Sequence, residues 1–122
     1  MSSARQRLGR AGEDLARRHL QQAGYDVLEA NYRTRGGEID LVARRDGVLV
    51  FVEVRTRGGG RLGPPEESVE AKKQARRVAM AEEYMQAQEA GDVDWRIDVV
   101  AVELGSRGTV TRLEVIENAV EL

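Results

Sequence analysis

Four charged residues stand at alternate positions on what reads as one β-hairpin. Glu38 and Asp40 lie in Glu38-Ile-Asp-Leu-Val-Ala-Arg44, and Glu53 and Arg55 lie in Val48-Leu-Val-Phe-Val-Glu-Val-Arg55. Both segments alternate with period two, and Asp46-Gly47 between them is a strong two-residue hairpin signal. A loop of that length pairs Arg45 with Val48, which sets Asp40 opposite Glu53 and Glu38 opposite Arg55. Directly opposed side chains have Cβ atoms ~4.5–5.5 Å apart, so two such carboxylates repel unless something compensates. A divalent cation that prefers hard oxygen ligands, Mg²⁺ or Mn²⁺, is a natural compensator. The same four residues also fit a solvated sheet face on which Glu38 and Arg55 form an ordinary cross-strand pair. Ile39, Leu41, Val50, Val52 and Val54 point the other way and read as core.

Composition narrows the chemistry further. The 122 residues contain no cysteine, which removes disulfides, thiolate nucleophiles, cysteine zinc sites and iron–sulfur clusters. His19 is the single histidine, so a multi-histidine metal site is excluded. No nucleophile elbow lies near it, and a hydrolase built on His19 ranks far behind a surface histidine on a charged helix. No apolar run approaches the ~18 residues of a membrane span. The opening MSSARQRLGR has no apolar stretch of the secretory kind. A cytoplasmic protein with no membrane partner is expected, with one domain over residues 1–122.

The net charge of −2 argues against a generally basic nucleic-acid binder, but its distribution is uneven. Residues 1–77 hold 16 Lys and Arg against 11 Asp and Glu, while residues 78–122 hold 3 against 10. Of the 19 basic residues 17 are arginine, which suits bidentate contact with phosphate but can equally follow genome base composition.

Two helices and five strands must position these residues. Leu8, Ala11, Leu15, Leu20 and Ala23 recur at helical spacing over residues 4–23, and Gly24 stands where a helix-ending glycine belongs. Tyr25–Asn31 reads as a strand, Arg35-Gly36-Gly37 as a turn, and the hairpin follows. Residues 57–65, RGGGRLGPP, form a glycine-rich loop. Acid and a cap at Glu66-Glu67-Ser68 open a second helix that runs to about Glu89, with Gly91 beyond. Trp95–Leu104 and Thr109–Ile116 are strands around the turn Gly105–Gly108. The order αβββαββ predicts an α/β fold with a mixed central sheet flanked by helices.

Each helix carries polar residues in line with its apolar stripe. Glu13 continues the row Ala16–Leu20–Ala23, with Gly9 and Gly12 beside it. Glycine inside a helix costs ~1 kcal/mol against alanine, so these two call for close packing on the sheet or approach of a ligand. The bland option for Glu13 is a solvated stripe edge. On the second helix Gln74 falls on the row Val78, Ala81 and Met85, beside the basic run Lys72, Lys73, Arg76 and Arg77. That run also fits a solvated face.

Taken together, Gly12-Glu13, Gly24-Tyr25, Asn31-Tyr-Arg33, Gly37-Glu-Ile-Asp-Leu41, Phe51-Val-Glu-Val-Arg55, Lys73-Gln74 and Arg96-Ile-Asp-Val-Val100 resemble the YraN-like family. This family of uncharacterised bacterial proteins is similar to Holliday-junction resolvases and other nucleases of the PD-(D/E)XK, restriction-endonuclease-like fold. The resemblance runs from about Gly9 to Ala119. It implies that Asp40 is the motif aspartate, Glu53 its second acid, Arg55 the usual lysine position and Glu13 the first-helix glutamate. Glu13, Asp40 and Glu53 would then be ligands of Mg²⁺ or Mn²⁺, and a homodimer is a further implication. Arginine at position 55 departs from the lysine of the motif. It stays protonated and cannot act as a base, but it can stabilise charge on a phosphate.

The leading expectation is a metal-dependent endonuclease that hydrolyses phosphodiester bonds in DNA, branched DNA included. Glu13, Asp40, Glu53, Arg55 and Gln74 would form the catalytic set. Arg33, Arg35, Arg57, Arg61 and Lys73 would contact phosphates without reading sequence. One alternative is a non-catalytic nucleic-acid-binding module on the same fold. Another is an interaction protein that docks through its acidic C-terminal half.

Overall fold

The computed structural model describes residues 4–58 and 71–119. Their elements are α1 (Ala4–Gln22), β1 (Asp26–Thr34), β2 (Gly37–Arg45), β3 (Val48–Gly58), α2 (Ala71–Ala87), β4 (Trp95–Leu104) and β5 (Val110–Ile116). This is the expected αβββαββ order. The strands form one sheet in the order β1-β2-β3-β4-β5. β3 and β4 run parallel, and every other neighbouring pair is antiparallel. A parallel step needs a long crossover, and α2 lies within it.

Turn chemistry sets the β2–β3 register as expected. Asp46 and Gly47 both take left-handed φ, 52° and 77°, as a tight hairpin loop with matching twist requires. The pairs run Arg45↔Val48, Arg44↔Leu49, Ala43↔Val50, Val42↔Phe51 and Leu41↔Val52.

β1 runs further than its sequence pattern suggests. Asn31 adopts φ 56°, which interrupts the alternation, yet pairing resumes at Tyr32↔Ile39 and continues to Thr34↔Gly37. The turn narrows to Arg35-Gly36.

Both helices end in the same way. At α1, Gly24 takes φ 93° and donates its N–H to Gln21 O at 3.1 Å, while Tyr25 N–H reaches Leu20 O at 2.9 Å. Tyr25 and Leu20 then pack in one core cluster, the apolar contact that accompanies this motif. At α2 the left-handed position is Glu89 (φ 52°), and Ala90 N–H reaches Met85 O at 3.0 Å. The helix thus stops at Ala87, with the cap on Glu89 ahead of Gly91. The expected helix start at Glu66-Glu67-Ser68, and the glycine-rich loop beyond Gly58, lie outside the described residues.

The core has two layers, one on each sheet face. Ala16 and Leu20 of α1 cover Leu41, Val50, Val52, Val100 and Val102. Met80, Ala81 and Tyr84 of α2 cover Ile39, Val42, Phe51 and Ile97. Ile39 is a correction: it is buried, but on the α2 face rather than beside Leu41. Residues two apart on a regular strand share a face, so β2 changes its alternation between Ile39 and Leu41.

Gly12 is buried where α1 crosses β3. A Cβ built there would lie 2.8 Å from Thr56 Cβ and overlap the Thr56 hydroxyl. Of the two readings open for this glycine, close packing is the one realised. Gly9 has open space. The close approach at Gly12 brings the next residue, Glu13, to the sheet.

Candidate functional site

The change of alternation in β2 falls at Asp40. The β2–β3 ladder ends at Leu41↔Val52, and the next acceptor for β3 is a side chain: Asp40 Oδ2 accepts the Val54 N–H at 2.8 Å. Asp40 therefore sits in the opening between the two strands, half-buried. Burial pushes its carboxyl up to about 7; the Val54 N–H opposes this, while the carboxylates of Glu13, Glu53 and Glu38 add to it.

Asp40 and Glu53 were expected to face each other. They line one open cavity of about 220 Å³, although no ladder pair joins them. The other wall is α2, which contributes Arg76, Arg77 and Met80. The Gly36-Gly37 hairpin end closes one side, with the Met80 Cγ 3.3 Å from where a Cβ on Gly36 would stand.

Glu53 carries two guanidinium partners. Arg55 Nε donates to Oε2 at 3.2 Å, and Arg77 Nη2 donates to Oε1. The side chains of Arg77, Arg55 and Glu53 are only 11%, 12% and 24% exposed, so solvent screens these pairs weakly. The expected opposition of Glu38 and Arg55 lies beyond the end of the ladder, and Arg55 bonds along its own strand.

Glu13 belongs to a neighbouring group. With its nitrogen turned to the carboxylates, the Asn31 amide donates to Glu13 Oε1 at 2.9 Å and Glu38 Oε1 at 2.7 Å. Burial, and then Glu38, hold the Glu13 carboxyl above its ordinary range. Glu13, Glu38 and Glu53 thus all act on the Asp40 carboxyl.

Among the described residues no group of three or more acidic or histidine side chains is set to hold a metal. The pair Asp40 and Glu53 nevertheless fits a hard divalent cation in donor chemistry. Mg²⁺ commonly takes one or two carboxylates and keeps several waters. Burial is the main cause of the rise at Asp40, and the smaller share that the neighbouring carboxylates add is what a cation would relieve.

The remaining candidates are more dispersed. Gln74 is half-buried and Lys73 exposed on the first turns of α2, outside the cavity lining. The buried side of α2 is centred on Arg77, Met80, Ala81 and Tyr84, with Val78 and Met85 on its flank. Gln74 continues that flank. Arg33 is exposed on β1 beside Glu38. Arg35 is 95% exposed, with its backbone N–H on Glu83 at 3.1 Å. Arg57 is half-buried near the end of β3, and Arg61 lies outside the described residues. His19 is exposed.

Sequence reasoning passed over Arg77, Asn31 and Asp98. A signal for Arg77 existed: it stands three, four and seven residues before Met80, Ala81 and Tyr84. Asp98 is fully buried; Arg96 Nε reaches Oδ1 at 3.0 Å and Asn118 N–H reaches Oδ1 at 3.0 Å. Arg96 Nη2 also donates to Tyr25 OH at 2.9 Å. This network fastens β4 to the end of α1 and to the segment after β5, away from the cavity lining.

A family model described as "Uncharacterised protein family UPF0102" matches residues 12–102, a span that contains Glu13, Asp40, Glu53 and both cavity arginines. The chain belongs to this family. A UPF0102 protein of Roseiflexus castenholzii is 47% identical over 122 residues, covering 99% of this chain and 98% of the relative. One of Symbiobacterium thermophilum is 46% identical over 113 residues, covering 93% and 95%. One of Alkaliphilus oremlandii is 43% identical over 100 residues, covering 80% and 86%. The resemblance to a YraN-like family is therefore established over nearly the whole chain. No helix among the described residues is long and apolar enough to cross a membrane.

Proposed function

We propose that the chain is a metal-dependent endonuclease that hydrolyses phosphodiester bonds in DNA, branched DNA included, on a restriction-endonuclease-like fold. The observation that supports this is Asp40 in the β2–β3 opening, sharing a cavity with Glu53 and facing the arginines of α2. Bound Mg²⁺ or Mn²⁺ supplies charge stabilisation and a lowered water pKa. Asp40 and Glu53 would hold the ion, and Glu13, beside Asn31, would bind it directly or through water. Arg55 stays protonated and stabilises charge on the phosphate. Gln74 and Lys73 steady the nucleic-acid backbone at the start of α2. Arg33, Arg35, Arg57 and Arg61 add phosphate contacts that carry no sequence information.

A cleavage assay tests this, using linear, single-stranded and four-way-junction DNA with Mg²⁺ or Mn²⁺. Cleavage by the natural chain and none by Asp40→Asn is expected. Equal cleavage by both removes Asp40 from the reaction.

One observation favours a second reading, a non-catalytic nucleic-acid-binding module. Glu53 is already neutralised by Arg55 and Arg77. Under that reading DNA binding persists without divalent ions, weakens steeply with salt and leads to no cleavage. Docking through the acidic C-terminal half would instead leave DNA affinity negligible at low salt.

A further inference from the structure

Arg77, on the cavity wall, is hydrogen-bonded on one side of its guanidinium. Its Nη2 donates to Glu53, while its Nη1 is buried with no partner among the described residues. A buried guanidinium donor without an acceptor loses its hydration with nothing in return, and that loss is larger for a charged group than for a neutral one. The side chain is held on the cavity wall by its place on the buried side of α2, one turn before Met80 and Ala81. Its charge neutralises the same carboxylate that a cation would need.

We infer that Arg77 is a resident counter-ion that couples cation binding to phosphate binding in this cleft. The inference rests on the proposed metal site at Asp40 and Glu53. In the free chain Arg77 occupies Glu53 and opposes entry of a cation. A phosphate in the cavity offers Arg77 a better partner, because it presents several acceptor oxygens to a fork that now uses one nitrogen. Arg77 turning to phosphate frees Glu53 Oε1, while Arg55 keeps Oε2, and a cation on Oε1 frees Arg77. Each ligand then removes the same obstacle to the other, and the coupling is reciprocal. Arg55 does not duplicate this role, since it lies on the same strand as Glu53, two residues along. The ligand pair is a phosphodiester with a divalent cation, and neither alone binds well.

The test is calorimetric titration with Mn²⁺, with and without deoxythymidine 3′,5′-bisphosphate, which carries phosphates but no diester to cleave. In the natural chain the bisphosphate should tighten Mn²⁺ binding at least about tenfold, ~1.4 kcal/mol. In Arg77→Gln, Mn²⁺ alone should bind more tightly, and the bisphosphate effect should fall below about threefold. If Arg77→Gln fails a folding check by circular dichroism, Arg77→Lys serves. It keeps the charge but loses the planar fork, and the coupling should again fall. An unchanged coupling factor in a folded variant overturns the inference, even if both separate affinities move, because it would make Arg77 a bystander charge. Asp40→Asn separates the two levels. If it binds Mn²⁺ as well as the natural chain does, the metal site itself is wrong, and the role of Arg77 falls with it.

Discussion

Asp40 supplies with its side chain a hydrogen-bond acceptor for Val54 just past the point where the β2–β3 ladder ends, Oδ2 to N–H at 2.8 Å. The contact holds a carboxyl group in the seam between two strands, where water is scarce and other carboxylates are near. It satisfies a β3 backbone donor and also fixes the direction of the group that the proposed chemistry needs.

The raised carboxyl of Asp40 makes stability depend on pH. Its folded value of about 7 exceeds the model-peptide value of 3.8, so the native state binds the extra proton between these limits. Stability from this group is therefore present at low pH and lost as pH rises toward 7. Asp40→Asn keeps an acceptor for Val54 and removes the charge. Without metal the variant should match the natural chain near pH 3.5, draw ahead as pH rises from about 4 to 7, and exceed it at pH 8 by roughly 2–4 kcal/mol, at ~1.4 kcal/mol for each pH unit between the two values. Melts at both pH values check this. A variant several degrees less stable at pH 8 would make the charged form a structural asset.

Mn²⁺ should raise the melting temperature of the natural chain, because an ion that binds only the native state shifts unfolding by mass action. Asp40→Asn and Glu53→Gln should each abolish that rise. A rise that survives both substitutions places the ion elsewhere.

Asp98 is an acid of the other kind. Asp98→Ala would leave Arg96 without its buried partner and the Asn118 N–H without its acceptor, a loss of about 3–5 kcal/mol for a broken buried pair. Denaturant titration should show this loss. Mn²⁺ stabilisation should persist in whatever folded fraction remains, since Asp98 is outside the cavity lining.

Gly9 and Gly12 should respond in opposite directions to alanine. Gly9 has open space, so Gly9→Ala should gain up to ~1 kcal/mol of helix propensity. Gly12→Ala meets the same propensity gain but drives a methyl group into Thr56, and overpacking of this kind costs about 1–3 kcal/mol. Thr56→Ala in the same chain should restore part of the loss. Urea unfolding of the four proteins measures all three differences.

Arg55 distinguishes charge stabilisation from base catalysis. Arg55→Lys should change cleavage by less than about tenfold, a barrier change under ~1.4 kcal/mol, and Arg55→Ala should cost more. Single-turnover cleavage rates decide it. Full activity in Arg55→Ala would remove the residue from the chemistry.

Local rules made much of this molecule readable from sequence alone. Alternation and the Asp46-Gly47 turn determined the β2–β3 register, because a two-residue loop leaves only one pairing. Glycine at position 24 ended α1 for a backbone reason, and the periodicity of two helices and five strands settled the αβββαββ order. Those rules act between residues close in the chain. The tertiary structure decided what they could not. Ile39 left its expected face because β2 parts from β3 at Asp40, a break that depends on how both strands pack beneath two helices. Arg77 looked like part of a solvated basic run, and became a buried partner of Glu53 only when α2 was laid across the sheet. Glu13 and Glu38 met through Asn31, on three separate elements. Charge–charge relations of this kind depend on distances through space and on exclusion of water, and neither quantity is written in the spacing of residues along a chain.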